Sequence, residues 1–161
     1  MAALQEEPSV HQALDRALRY LAVRPRSQAE VRRYLLKHFP SDTVALAIVR
    51  LQEQRLLDDA AFAHAWVRSR LAHRPRSSAL MAREMAAHGV PREAIQEALA
   101  EIDDEGAASV ALRGFLKRRS IDDPEERRRR AWQHLHRRGF SPSVIRRALD
   151  HLGEEAGSDS F

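Results

Sequence analysis

Eight histidines, three adjacent aspartate pairs and many arginines are the side chains in this sequence able to do chemistry. A metal site would need His and carboxylate ligands spaced to meet on one helix face, as in HExxH. That motif does not occur, and His134 and His136, two apart on a predicted helix, diverge around its axis. His38 and His88 fall near predicted helix C-termini, where a cation meets the negative end of the helix dipole. Asp58-Asp59, Asp103-Asp104 and Asp122-Asp123 each stand just before a predicted helix, so they read as N-caps rather than acid–base pairs. The glycines form neither GxGxxG nor a Walker loop. The absence of cysteine excludes disulfides, zinc-thiolate sites and thiol nucleophiles. No catalytic residue, metal or cofactor is expected, and hence no enzyme.

Arginine carries the remaining signal. Between Arg113 and Arg147 stand 12 Lys/Arg against four acids, a local charge of +8 in a chain whose total is +4. Such asymmetry suits an acidic or phosphate-bearing partner. The candidate contact residues are Arg24, Arg26, Arg68, Arg70, Arg74, Arg76, Arg118, Arg119, Arg127, Arg128, Arg137 and Arg138. Arginine supplies a planar fork of donors that matches carboxylates and phosphates. Trp66 and Trp132 sit in apolar helical stripes and read as core residues rather than as platforms for bases.

The elements that must position these arginines repeat. The string RPRS occurs at residues 24–27 and again at 74–77, each time after a leucine–alanine pair. Proline disfavours helical geometry in the residue before it, and serine can cap the next helix, so RPRS marks a joint between two helices. After the first joint, Ser27 and Glu30 predict a capping box, and the helix should end near Pro40. A further helix then carries Val44, Ile48 and Leu51. After the second joint Met81, Ala82, Met85 and Ala86 form the stripe, His88-Gly89 ends it, and Ile95, Leu99 and Ile102 follow Pro91. A third copy starts at Asp123-Pro124, with Trp132, Leu135 and His136 on the stripe, Gly139 at its end, and Ile145, Leu149 and Leu152 beyond.

Each helix pair has a leader. The first runs from Ser9 to Val23 with Leu14, Leu18 and Leu21. The second carries Phe62, Trp66 and Val67, and the third Val110, Leu112, Phe115 and Leu116. The expected fold is therefore all-α, with about nine helices in tandem three-helix units stacked into an elongated, curved array. The expected boundaries are a disordered start over 1–8, units over 9–55, 56–102 and 103–153, and a disordered tail over 154–161. No signal peptide and no membrane-spanning run is read in the chain, which is expected to be a soluble, cytoplasmic monomer.

In sequential order, YLAVRPRSQAEVRRYL (20–35), LDDAAFAHAWVRSR (57–70), HGVPREAIQEAL (88–99) and RRGFSPSVIRRAL (137–149) resemble the RecX family, regulators of the RecA recombinase. The resemblance spans about residues 10–152. It implies tandem three-helix repeats, binding in the helical groove of RecA–DNA filaments, and inhibition of ATP hydrolysis, strand exchange and co-protease activity. It offers no catalytic residue to carry over. Direct DNA binding through basic helix pairs is the alternative, which the resemblance does not require. One departure is His38, where the other two units have Gly89 and Gly139.

Overall fold

Ser27 is fully buried at the end of the first RPRS. Its hydroxyl accepts the Glu30 amide at 3.2 Å, while the Glu30 carboxylate accepts the Ser27 amide at 3.0 Å. This reciprocal box starts α2 (Gln28–Leu35), between α1 (Ala3–Val23) and α3 (Ser41–Glu53). The same order returns in α4 (Asp59–His73), α5 (Ser78–Ala87) and α6 (Arg92–Leu99), then in α7 (Asp104–Lys117), α8 (Pro124–Arg137) and α9 (Pro142–Ser158). The computed structural model describes the backbone of residues 3–158 and the side chains of 10–152. The described residues form nine helices and no strand. The fold is an all-α array of three-helix repeats.

Two compact units result, Met1–Ala65 with Met85–Ala98, and Trp66–Glu84 with Leu99–Phe161. The core of the first gathers Ala13, Ala17, Val31, Leu35, Val44, Ala47, Ile48, Leu51 and Leu57. That of the second gathers Ala108, Leu112, Phe115, Ala131, Leu135, Phe140, Ile145 and Leu149 among others.

The stripes differ in detail from those expected. In α1 the buried positions among the described side chains are Val10, Ala13 and Ala17, with Leu14 and Leu21 half-buried and Leu18 42% exposed. Small residues let α1 approach closely, which turns Leu18 outward. In α7 Val110 is 56% exposed, and Ala107, Ala108 and Ala111 take the contact. In α8 it is His134, not His136, that turns inward, and in α5 Ala86 is exposed. The ends also differ. α1 starts at Ala3 rather than at Ser9, and α9 runs to Ser158 across part of the segment expected to be irregular. Residues 1–2 and 159–161, included in the expected irregular ends, lie outside the described residues.

The paired aspartates divide two tasks. Asp58 caps α4 by accepting the Ala61 amide at 2.9 Å, and Asp103 caps α7 by accepting that of Glu105 at 3.0 Å. The second aspartate of these two pairs reaches into the preceding repeat, whereas in the third pair the second, Asp123, caps α8 by accepting the Glu125 amide at 3.1 Å. Asp59 accepts the Gln28 amide at 2.9 Å, and Asp104 accepts the Ser78 amide at 2.8 Å and its hydroxyl at 3.1 Å.

The glycine turns complete each junction. The Ser27 hydroxyl donates to the carbonyl of His88, and the Ser77 amide donates to that of Arg138 at 3.0 Å. Gly89 has φ +76°, and a Cβ there would lie 2.5 Å from the Ala29 Cβ. Gly139 has φ +86°, and its Cβ would lie 2.6 Å from the Ser77 hydroxyl. Only glycine combines this conformation with this approach. In the first repeat His38 occupies the corresponding turn without a positive φ.

Candidate polyanion-binding cleft

The second RPRS is pinned from two sides. The Arg138 guanidinium donates to the Pro75 carbonyl at 2.9 Å, beside the Ser77 amide bond to the Arg138 backbone. This clamps Arg74 and Arg76 alongside Arg137 and Arg138 at the end of α8. The end of α7 adds Arg118 and Arg119, with the Arg119 guanidinium 5.5 Å from the centre of the Phe115 ring. Together the six arginines line an open cleft of about 670 Å³, with His73, His134, Leu80 and Phe115 completing its walls. Among the described residues no carboxylate lines it. Glu84 neutralises part of the charge behind it, pairing with Arg76 and with the Arg70 Nε at 2.9 Å.

Burial lowers the pKa of Arg76 from its usual value, with help from the charges of Arg70 and Arg74. Burial does the same at Arg138, followed by the charges of Arg76, Arg118 and Arg74. These guanidiniums stay protonated near neutral pH and repel one another, a repulsion that a bound polyanion relieves. His134 faces Phe115 with ring centres 4.6 Å apart. Burial first, then Arg138, Arg137, Arg118 and Arg119, push its pKa down to about 4. The ring is therefore neutral at neutral pH, an apolar-walled partner to the arginines rather than a seventh cation.

That depression fixes a pH dependence. The unfolded chain takes up the His134 proton near pH 6.5, and the folded chain only near pH 4. Unfolding is thus favoured progressively as pH falls through that window, by on the order of 1–2 kcal/mol after allowing for the partial exposure of the ring. Urea titrations at pH 7 and pH 4.5 on wild type and His134→Phe test this. The variant should lose less stability between the two pH values, and equal losses would refute the assignment.

Of the other candidate arginines, none lines this cleft. Arg68 is exposed on α4. Arg70 lies 4.5 Å over Trp66, whose indole N–H donates to Glu84 at 2.9 Å. Trp66 is therefore half-buried and polar-tethered rather than a plain core residue. In the first repeat Arg24 pairs with Glu30 at 2.8 Å, and His88 approaches the same carboxylate oxygen at 3.1 Å. Burial raises the Glu30 pKa, but hydrogen bonds from Arg24, the Ser27 amide and His88 outweigh it and leave the net shift downward. Arg26 lies 4.0 Å over Tyr20, itself stacked on Tyr34 at 4.1 Å. Arg127 and Arg128 line a neighbouring hollow, which shares Arg119 with the cleft. Sequence reasoning missed His134 and Phe115. The available signal was the i, i+3, i+4 relation of His134 to Arg137 and Arg138, which places all three on one face.

Among the described residues no group of three metal-ligating side chains occurs, and no helix is long and apolar enough to cross a membrane. Profiles described as the first, second and third three-helix domains of RecX match residues 13–51, 58–99 and 103–149. Regulatory protein RecX of Prosthecochloris aestuarii is 35% identical over 149 residues, covering 91% of this chain and 97% of that protein. Regulatory protein RecX of Mycobacterium marinum is 38% identical over 144 residues, covering 86% and 83% respectively. The crystal structure of RecX from Lactobacillus salivarius superposes with a TM-score of 0.77 at 19% identity, over 91% of this chain and 98% of that one. The three domain matches in order, and relatives aligned over most of their own length, place this chain in the RecX family of regulatory proteins.

Proposed function

We propose that this protein acts in the cytoplasm as a monomeric regulator of a RecA-type recombinase, binding its filament on DNA and suppressing its ATPase, strand-exchange and co-protease activities. The observation that carries this reading is the cleft in which six arginines converge without a lining carboxylate among the described residues, in a chain of the RecX family. A filament presents DNA phosphates and acidic side chains at a regular spacing. A weak contact repeated along it gains affinity through effective concentration. Bound across neighbouring protomers, the protein would hinder subunit addition and the changes that accompany hydrolysis.

Direct DNA binding is the second reading, favoured by the same guanidiniums, since phosphate contact needs no sequence readout. The arrangement supports backbone contact rather than a recognition helix in a groove. The cleft is built from the ends of α7 and α8 and the joint before α5. On α9, Arg147 is engaged with Glu105 at 3.1 Å.

The test is the single-strand-dependent ATPase rate of the cognate recombinase, titrated with this protein at fixed salt. Suppression well below one regulator per recombinase protomer is expected. An unaffected rate with folded protein would overturn the regulator reading. Tight, steeply salt-dependent binding to bare single strands in that case would support the second reading.

A further inference from the structure

The third repeat lacks what the first two have at the start of their second helix. In those repeats a backbone amide, that of Gln28 or of Ser78, receives an aspartate from the next repeat. Met81 and Ala131 are equivalent fully buried positions 50 residues apart, as are Met85 and Leu135. The same offset carries Ser77 and Ser78 onto Arg127 and Arg128. α8 starts a turn earlier, at Pro124, so Arg128, the counterpart of Gln28 and Ser78, lies inside the helix rather than at its first turn, and the amide before it, that of Arg127, is bonded to the Asp123 carbonyl at 2.9 Å. The place that accepts a carboxylate with an amide in two repeats therefore carries guanidiniums in the third.

Beside these arginines lies a hollow of about 900 Å³ that shares Arg119 with the arginine cleft and differs from it in its apolar floor. Leu116, Ile121 and Leu152 are partly buried against the core there, and Lys117 and Arg119 join Arg127 and Arg128 on the rim, with Asp122 the one lining acid among the described residues. Arg128 is held by an exposed pair with Asp150 at 3.1 Å, whereas Arg127 and Lys117 are exposed and make no ion pair with the described residues.

We propose that this hollow docks a protein segment that is acidic and carries a large apolar side chain, taking the place that a following repeat's aspartate takes elsewhere. Cationic rim and leucine–isoleucine floor are both complementary to such a segment. A second copy of the chain is a poor occupant. Docking turns need glycine because even a single Cβ would lie 2.5–2.6 Å from the receiving helix, and the first repeat has His38 at that position. Nucleic acid would satisfy the rim and leave the floor uncovered. The proposal does not depend on the recombinase reading.

The test is fluorescence anisotropy of the full chain with a fluorescein-labelled peptide of aspartates interrupted by one leucine and one phenylalanine. Saturable binding is expected, weakened about tenfold when both apolar residues of the peptide become alanine. Lys117→Glu/Arg127→Glu should weaken it about tenfold too, and the milder Arg127→Ala in the same direction, with helical spectra unchanged. Equal binding of the alanine peptide would reduce the effect to bare charge and overturn the proposal. Unchanged binding by the variants would place the peptide elsewhere and overturn it as well. Displacement of the peptide by oligothymidylate, with the variants losing oligonucleotide affinity, would assign the hollow to nucleic acid instead.

Discussion

Gly139→Ala is expected to lower the stability of the protein by about 2–4 kcal/mol, a large share of what a domain of this size holds in reserve. Two costs add. The backbone at φ +86° is a conformation that L side chains rarely adopt, which costs about 1 kcal/mol. The added methyl group would then lie 2.6 Å from the Ser77 hydroxyl and 2.7 Å from the Leu80 Cβ. Neither neighbour can retreat cheaply. Ser77 is buried, its hydroxyl accepts the Leu80 amide at 3.1 Å to cap α5, and its own amide holds the Arg138 carbonyl. Gly89→Ala meets the same two costs against Ala29, whereas His38→Gly should change stability by only a few tenths of a kcal/mol. Urea denaturation followed by helical circular dichroism separates these outcomes. A Gly139→Ala protein within about 0.5 kcal/mol of wild type would refute the close-approach account.

The second large effect concerns the arginine cleft. Arg74→Glu/Arg118→Glu/Arg137→Glu changes three exposed residues that make no ion pair with the described residues, so the fold should survive. Suppression of the recombinase ATPase should then require at least about tenfold more protein, a loss of roughly 1.4 kcal/mol. Affinity for bare single strands should lose about two units of its salt slope, since each lost phosphate contact contributes about 0.7. ATPase titrations and a binding series in rising salt read the two quantities. Unchanged suppression by the folded triple variant would remove the cleft from the filament contact. Arg76 is deliberately left intact. A glutamate there would confront Glu84, and the resulting loss of structure would mimic a loss of function.

Legibility in the sequence followed the range of the interaction. The Ser27–Glu30 box, the burial of Val44, Ile48 and Leu51, and the glycine endings at Gly89 and Gly139 depend on residues within a turn or two of each other. Helical spacing alone therefore reveals them. Which face of α1 turns inward depends on how near α3 comes, and Ala13 and Ala17 decide that, against the larger but exposed Leu18. The second aspartates were legible as helix starters and not as links between repeats, because Asp59 and Gln28 are 31 positions apart. The cleft was half legible. Six of the twelve nominated arginines converge in it, since the basic ends of α7 and α8 are plain in the sequence. Arg24 and Arg70 look the same on paper and are spent on Glu30 and Glu84. The two RPRS strings thus use the same letters differently. Arg26 rests on Tyr20, while Arg76 is held by Glu84.

The asymmetry among the three repeats has a consequence for how such chains change length. The middle repeat carries both halves of the coupling. Asp59 and Gly89 serve it as an incoming connector, and Ser77 and Ser78 as an outgoing one. The first repeat has only the outgoing half, because His38 replaces the glycine. The third has only the incoming half, because Arg127 and Arg128 replace the serines. An in-frame duplication of the middle segment would reproduce a compatible joint on both sides, whereas duplicating either end would abut two parts that do not mate. Growth and shrinkage by whole repeats are therefore open to the interior of this architecture and closed at its ends.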